Sequence, residues 1–214
     1  ILLLAMVAGV ILFRLYTVLG RRTGHEPTQE PYRLSGPADN TAEAPHIAAL
    51  PGPRGAELPA DPIARGLQDI RGADRSFDTD HFLNGARHAY EMILTAYSAN
   101  DRAALKPLLS DDVYAAFDAA MKGREQRNEK TSFTFVGFKD AKITQAAQRG
   151  KLADITVAFT AQFISATADA SGAVVEGDPK SVHEVTDIWS FERNIRASDP
   201  NWTLIHTSGA EPSA

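Results

Sequence analysis

From Ile1 to Phe13 the chain is apolar without a break, and after Arg14 the run resumes in Leu15, Tyr16, Val18 and Leu19 before Gly20-Arg21-Arg22 ends it. A membrane-spanning helix needs about 20 residues at about 1.5 Å rise each, so residues 1–19 are expected to form one transmembrane helix. Arg14 can carry its charge to the headgroups along its apolar stem, and Tyr16 suits the interface. Ile1 falls inside the apolar run, so the expected span is a lower bound on its length. From Gly20 to Pro62 no period is sustained, and this segment holds eight of the chain's twelve prolines. It offers too little apolar surface to offset the entropy of ordering, and proline stiffens it. A disordered, semi-extended linker over residues 20–62 is therefore expected.

Asp61-Pro62 then reads as a helix cap followed by proline at the first helical position, with Ile63, Leu67 and Ile70 at helical spacing. Phe82, Leu83, Ala86, Ala89, Tyr90, Ile93, Leu94 and Tyr97 recur at three and four, the stripe of a long amphipathic helix. Thr79 or Asp80 is available as its cap, and Asn100-Asp101 closes it. Pro107 interrupts the segment holding Leu105, Leu108 and Leu109, so a break is predicted there. Ser110 caps the next helix, Asp111 and Asp112 face the positive end of its dipole, and Val113, Phe117, Ala120 and Met121 line one side. That helix is expected to fade in the charged run over 122–130.

After Thr131 the period changes to two. Phe133, Phe135 and Ile143 mark a long strand with a bulge or bend at Gly137, and Gln148-Arg149-Gly150-Lys151 supplies a turn. Ala153, Ile155, Val157, Phe159, Ala161 and Phe163 then alternate with polar residues. Ala170-Ser171-Gly172 turns into Val174-Val175, Asp178-Pro179 is expected to turn again, and Val182 to Arg193 forms another strand. A last strand runs from Trp202 to Thr207 after Asp199-Pro200-Asn201. Helices followed by consecutive strands on short turns predict an α+β fold, with helices on one face of an antiparallel sheet. Curling that sheet around the first long helix makes a cone with an apolar pocket. The domain is expected over 63–208, with a short tail over 209–214.

Charge and composition narrow the function. A net charge of −5 and a pI near 5.7 give no overall attraction to nucleic acid. The absence of cysteine excludes disulfides, thiolate metal sites and a cysteine nucleophile. Arg14, Arg21 and Arg22 follow the apolar run, whereas a cleaved secretory signal places its basic residues first. The positive-inside rule then puts the rest of the chain in the cytoplasm. Arg65, Arg71 and Arg75 on the first short helix are candidates for contact with acidic lipid, or are simply solvated.

Several segments carry a family resemblance by their order and spacing. They are Phe82-Leu83-Asn84-Gly85-Ala86-Arg87-His88-Ala89-Tyr90-Glu91, Leu108-Leu109-Ser110-Asp111-Asp112-Val113-Tyr114, Ala153-Asp154-Ile155-Thr156-Val157, Val185-Thr186-Asp187-Ile188-Trp189-Ser190-Phe191 and Asp199-Pro200-Asn201-Trp202. Together they resemble the C-terminal domain of the Tim44 family. The run from Arg14 to Glu26 is similar to the start of its bacterial, TimA-type branch. The resemblance implies a fold like nuclear transport factor two, with a curved antiparallel sheet and a hydrophobic pocket. Mitochondrial members tether a matrix chaperone to the import channel and touch acidic lipid. This chain departs from them in carrying its own membrane helix and lacking the long chaperone-binding region. The implied role is an inner-membrane adaptor with an unidentified protein client.

The same fold hosts ketosteroid isomerase, where a carboxylate and hydroxyl donors share a water-poor pocket. Asp187, Tyr90 and Tyr97 are the candidates for such chemistry. In the competing reading Asp187 pairs with a buried donor and the tyrosines pack. Trp189 and Phe191 alternate in a strand, as pocket walls or as plain core. His81 and His88 are not completed into a metal set, and no phosphate loop or nucleophile elbow is present. No cofactor, metal or enzymatic activity is expected. The alternative to the adaptor is a pocket for a lipid or small apolar ligand, with isomerase-type catalysis as its less favoured extension.

Overall fold

The computed structural model describes residues 61–209. The expected membrane helix over 1–19, with Arg14, Arg21 and Arg22, lies outside the described residues, as do the linker up to residue 60 and residues 210–214. Helix α1 spans Pro62–Ala73, and the Asp61 carboxylate accepts from the Ile63 N–H at 3.0 Å. Helix α2 spans Thr79–Ser98. Its cap is Asp78, which accepts from the His81 N–H at 2.7 Å, rather than Thr79 or Asp80. A cap must be extended, as Asp78 is at φ −121°, while Thr79 is already helical. The single turn α3, Arg102–Leu105, ends before Pro107. Helix α4 spans Asp111–Gln126 with Ser110 as its cap.

Four strands follow: β1 (Lys130–Arg149), β2 (Leu152–Ala168), β3 (Val174–Asn194) and β4 (Thr203–Gly209). They form one antiparallel sheet in the order β1-β2-β3-β4. The α+β architecture of helices packed on an antiparallel four-stranded sheet is thus present. The register of β1 shifts between Phe135 and Gly137, Phe138 and Asp140, and Ile143 and Gln145. Each shift adds a residue to β1. The result is that Phe135, Phe138, Ala141, Ile143 and Ala146 all meet the inward residues of β2 although their spacing is not strictly two.

Asp178-Pro179 does not end a strand. β3 continues through it as an irregularity between the Phe163–His183 and Ser165–Asp178 pairs. The Asp178 carboxylate accepts from the Lys180 N–H at 2.9 Å and the Ser181 hydroxyl at 2.6 Å, so the excursion is closed locally and pairing resumes.

The inward face of the sheet, carrying Ile155, Val157, Phe159, Trp189, Phe191 and Leu204, packs with Ile70, Phe82, Tyr90, Ile93, Val113, Phe117 and Met121 of the helices. The outward face is hydroxyl-rich, with Thr156 to Ser190 at 2.9 Å and Thr160 to Thr186 at 3.1 Å. Ser110 N–H donates to the Leu204 carbonyl and Leu204 N–H to the Leu108 carbonyl, each at 2.9 Å, which clips the start of α4 to β4. Among the described residues no helix is long and apolar enough to cross a membrane.

Helix α1 approaches β1 so closely at Gly66 that an added Cβ would run into the Ala146 carbonyl. Gly66→Ala is therefore expected to destabilise the domain by about 1–3 kcal/mol through overpacking, even though alanine is the better helix former. A fall in urea midpoint at unchanged slope checks this; an unchanged or higher midpoint would show that α1 is not clamped at Gly66.

Candidate functional site

Helix α2 places Tyr90 against the inward face of three strands. Its ring centroid lies 4.5 Å from that of Trp189, 4.8 Å from Phe159, 5.5 Å from Phe138 and 6.4 Å from Phe135. Tyr90 and Phe159 have no exposed surface, and Trp189 is 3% exposed. The Tyr90 hydroxyl donates to Asp187 Oδ2 at 2.7 Å. Asp187 faces Phe159 across β2 and Gly209, the last residue of β4. It is only partly buried, beside Gly209, the last of the described residues.

Burial pushes the Asp187 carboxyl above the usual carboxylate range, and the Tyr90 hydrogen bond draws it part of the way back. Burial first, and then the Asp187 charge, raises the Tyr90 phenol, which therefore stays protonated and donating at neutral pH. The two groups that could have formed an acid–base pair are engaged with each other inside packed aromatic rings.

Of the five pocket candidates, the structure brings together Tyr90, Asp187, Trp189 and Phe191. Phe191 is 2% exposed and leads into a second aromatic group, with Phe82 edge-on at 6.1 Å and Trp202 4.7 Å from Phe82. Tyr97 belongs elsewhere. It meets Phe117 edge-on, with ring centroids 5.0 Å apart, and lies under the Arg124 guanidinium at 4.3 Å. Burial raises its phenol, with the Arg124 charge opposing. Arg65, Arg71 and Arg75 are all exposed around α1, and Arg71 donates to the Thr79 hydroxyl at 3.2 Å.

Two charged side chains matter that the sequence reading did not single out. Arg124 donates to the Tyr97 carbonyl, the Asn100 side chain at 2.7 Å and the Thr131 hydroxyl at 3.1 Å, tying the end of α2 to the start of β1. Arg193 pairs with Asp74 in a largely buried contact and lies over the Trp202 ring at 5.2 Å. Both were detectable in principle. Arg124 continues the Phe117–Met121 stripe of α4, and Arg193 continues the Trp189–Phe191 alternation of β3. Two clefts lie off the aromatic interior. One of about 170 Å³ is bordered by Asp74, Ser76, Arg193 and Asp199. The other, of about 450 Å³, is bordered by Asn128, Lys130 and Asp169. Among the described residues no group of three or more His, Asp or Glu side chains is gathered to hold a metal.

Helices packed on the inward face of a four-stranded antiparallel sheet, with aromatic rings filling the space between, define the class as a two-layer α+β domain. The Tim44-like domain family matches residues 63–209, well over half of the chain. The chain belongs to that family. Among solved structures it is similar to the intermembrane space region of the chloroplast protein ARC6, at 12% identity and a TM-score of 0.42, covering 59% of this chain and 95% of that one. It is also similar to a conserved protein from Planctomyces limnophilus DSM 3776, at 18% identity and a TM-score of 0.35, covering 61% and 98%. No curated protein matches significantly.

Tyr90→Phe removes the donor from a partly buried carboxyl and is expected to cost about 1–3 kcal/mol, measured by urea denaturation at neutral pH; a cost within error would mean that water replaces the hydroxyl. A carboxyl whose folded pKa is raised contributes stability that is fully present below its unfolded pKa and is lost as pH rises through the folded one. Asp187→Asn retains an acceptor for Tyr90 without the charge. Its stability relative to the unaltered chain should therefore improve as pH rises from the ordinary aspartate range, about 3.9. Parallel stability curves for the two across that range would contradict the assignment.

Proposed function

We propose that the chain is an adaptor tethered to the bacterial inner membrane, a TimA-type member whose Tim44-like domain engages a protein client on the cytoplasmic side. The observation that carries this reading is the order of parts. The family match falls on the folded domain, and the long apolar run precedes it across a proline-rich spacer. Such a spacer, semi-extended by its prolines, gives the domain reach as well as attachment. Basic residues after the apolar run support the cytoplasmic orientation. The exposed Arg65 and Arg71 stand on the first helix of the domain and exposed Arg75 in the turn that follows it, where contact with acidic headgroups would steady the domain.

A binding role rather than a catalytic one is supported by the interior. Asp187 and Tyr90 are bonded to each other, and the rings around them are in mutual contact. The curved-sheet geometry and the aromatic interior are consistent with a fold of the nuclear transport factor two kind, and the client's transport or assembly in the membrane is the process such an adaptor serves.

Deleting residues 1–19 should move the protein from the membrane to the soluble fraction, and persistence in the membrane after a salt wash would sink the single-anchor reading. In a crosslinked membrane pull-down, partners of the tagged full chain should be lost when residues 63–209 are removed and the anchor and linker are kept. Identical partner sets would turn the reading toward a lipid or small apolar ligand bound by the domain.

A further inference from the structure

The outward face of the sheet is not uniformly polar. Among the described residues the large hydrophobic side chains left exposed are Met92, Val136, Val174, Val175 and Val182, and the four valines all stand at one end of the sheet. Val136 is 51% and Val182 52% exposed. Alternation sets both on the outward side, because their neighbours Phe135 and His183 pair with Phe163, whose side chain points inward. Ile164 lies between them on β2, so three strands contribute to one aliphatic patch. The helices pack on the opposite face. An apolar patch rimmed by polar residues marks a surface of interaction.

Two opposite charges border the patch on opposite sides. Lys139 stands in the bulge of β1 between Phe138 and Asp140, and Glu184 stands on β3 opposite Gln162. Both are exposed, and both lie at the level of residues 160–162 of β2. Glu184 accepts from the Gln162 amide at 3.1 Å, and neither charge has an ion-pair partner among the described residues. Within one molecule β2 keeps them apart, by two strand spacings of about 4.8 Å each. The other charges at this end do not compete for them. Asp140 is paired with Lys142 at 2.8 Å, and Lys180, in the excursion of β3, lies at the level of the uncharged Thr134.

These charges select how a second copy lies on this face. A two-fold axis along β2 places the β1 border of one copy over the β3 border of the other. Val136 then meets Val182, Ile164 meets its own counterpart, and each Lys139 meets a Glu184. An axis across the strands lays each border over itself, so Lys139 and Glu184 are not brought together. We propose that the valine-rich end of the outward face binds a second copy of the chain about a two-fold axis along β2, with Lys139 and Glu184 paired across the contact. Faces meet in this arrangement, as aligned sheets do, and the edges of the sheet take no part. Three partly exposed aliphatic side chains per copy fall short of the roughly 800 Å² per partner of a stable interface. The pair is therefore weak and reversible, and its register rests on the charges.

The chain has no cysteine, so single cysteines report the geometry in the detergent-solubilised full chain. With a short bismaleimide, Ile164→Cys, on the axis, should be linked as a dimer. Lys139→Cys should link to Glu184→Cys when the two are mixed and give little dimer alone. Met92→Cys, on the exposed side of α2, should stay monomeric. Sedimentation equilibrium reads the same contact without cysteines. Glu184→Lys should weaken association about tenfold, and Glu184→Lys combined with Lys139→Glu should restore it. Both positions are exposed, so neither exchange threatens the fold. A monomer at every concentration overturns the proposal, as does linkage of Ile164→Cys no greater than that of Met92→Cys. Self-linkage of Lys139→Cys in place of the mixed product, or an association that the charge exchanges leave untouched, overturns it as well.

Discussion

A helix of twenty residues and a sheet of long strands can share one face only if their side chains agree about a common set of neighbours, and in this domain the agreement is made at Tyr90. Its ring touches side chains from β1, β2 and β3, and its hydroxyl finds a partner on β3. A phenol placed so deep would be costly without an acceptor, and a carboxyl among rings would be costly without a donor. Each makes the other tolerable, and the position of α2 along the sheet follows from their meeting.

The curvature of the sheet serves the same end. The three register shifts in β1 bend it while turning Phe135, Phe138 and Ile143 inward, so the outer strand wraps toward the helices. At the opposite border the backbone bonds between Leu108, Ser110 and Leu204 fix where α4 begins, and Arg124 fixes where α2 ends. Helix α1 fills the space left over the end of β1, at a distance that only Gly66 permits.

Much of this was legible in the chain. The stripe from Phe82 to Tyr97 and the alternation from Ala153 to Phe163 each have a single period, and a single period has a single structural reading. Ser110 and Asp61 were recognisable as caps because a short polar side chain directly precedes an apolar stripe. What escaped were features with no period. Asp178-Pro179 has turn chemistry, and whether such chemistry ends a strand or only bulges it depends on pairing with β2, which is a tertiary fact. At the start of α2, Asp78, Thr79 and Asp80 are all acceptable caps, and packing chose among them. In the candidate site, the grouping of Tyr90, Asp187, Trp189 and Phe191 could be anticipated from shared faces. The bond between the first two, the separation of Tyr97 and the filling of the interior required the relative placement of helix and sheet.

The bulged outline of β1 also governs how copies of the molecule meet. An outer strand of twenty residues would, if straight, present a continuous row of backbone donors and acceptors to any similar strand nearby. Here the row is broken at three places, and on the far border the stretch of β3 with no strand beside it among the described residues contains Pro179 and Lys180. Among the described residues neither margin is a long, regular template for a neighbouring strand. Collisions between crowded copies are thereby kept from maturing into sheet extension, and the irregularities that shape the interior also serve as a guard against self-association.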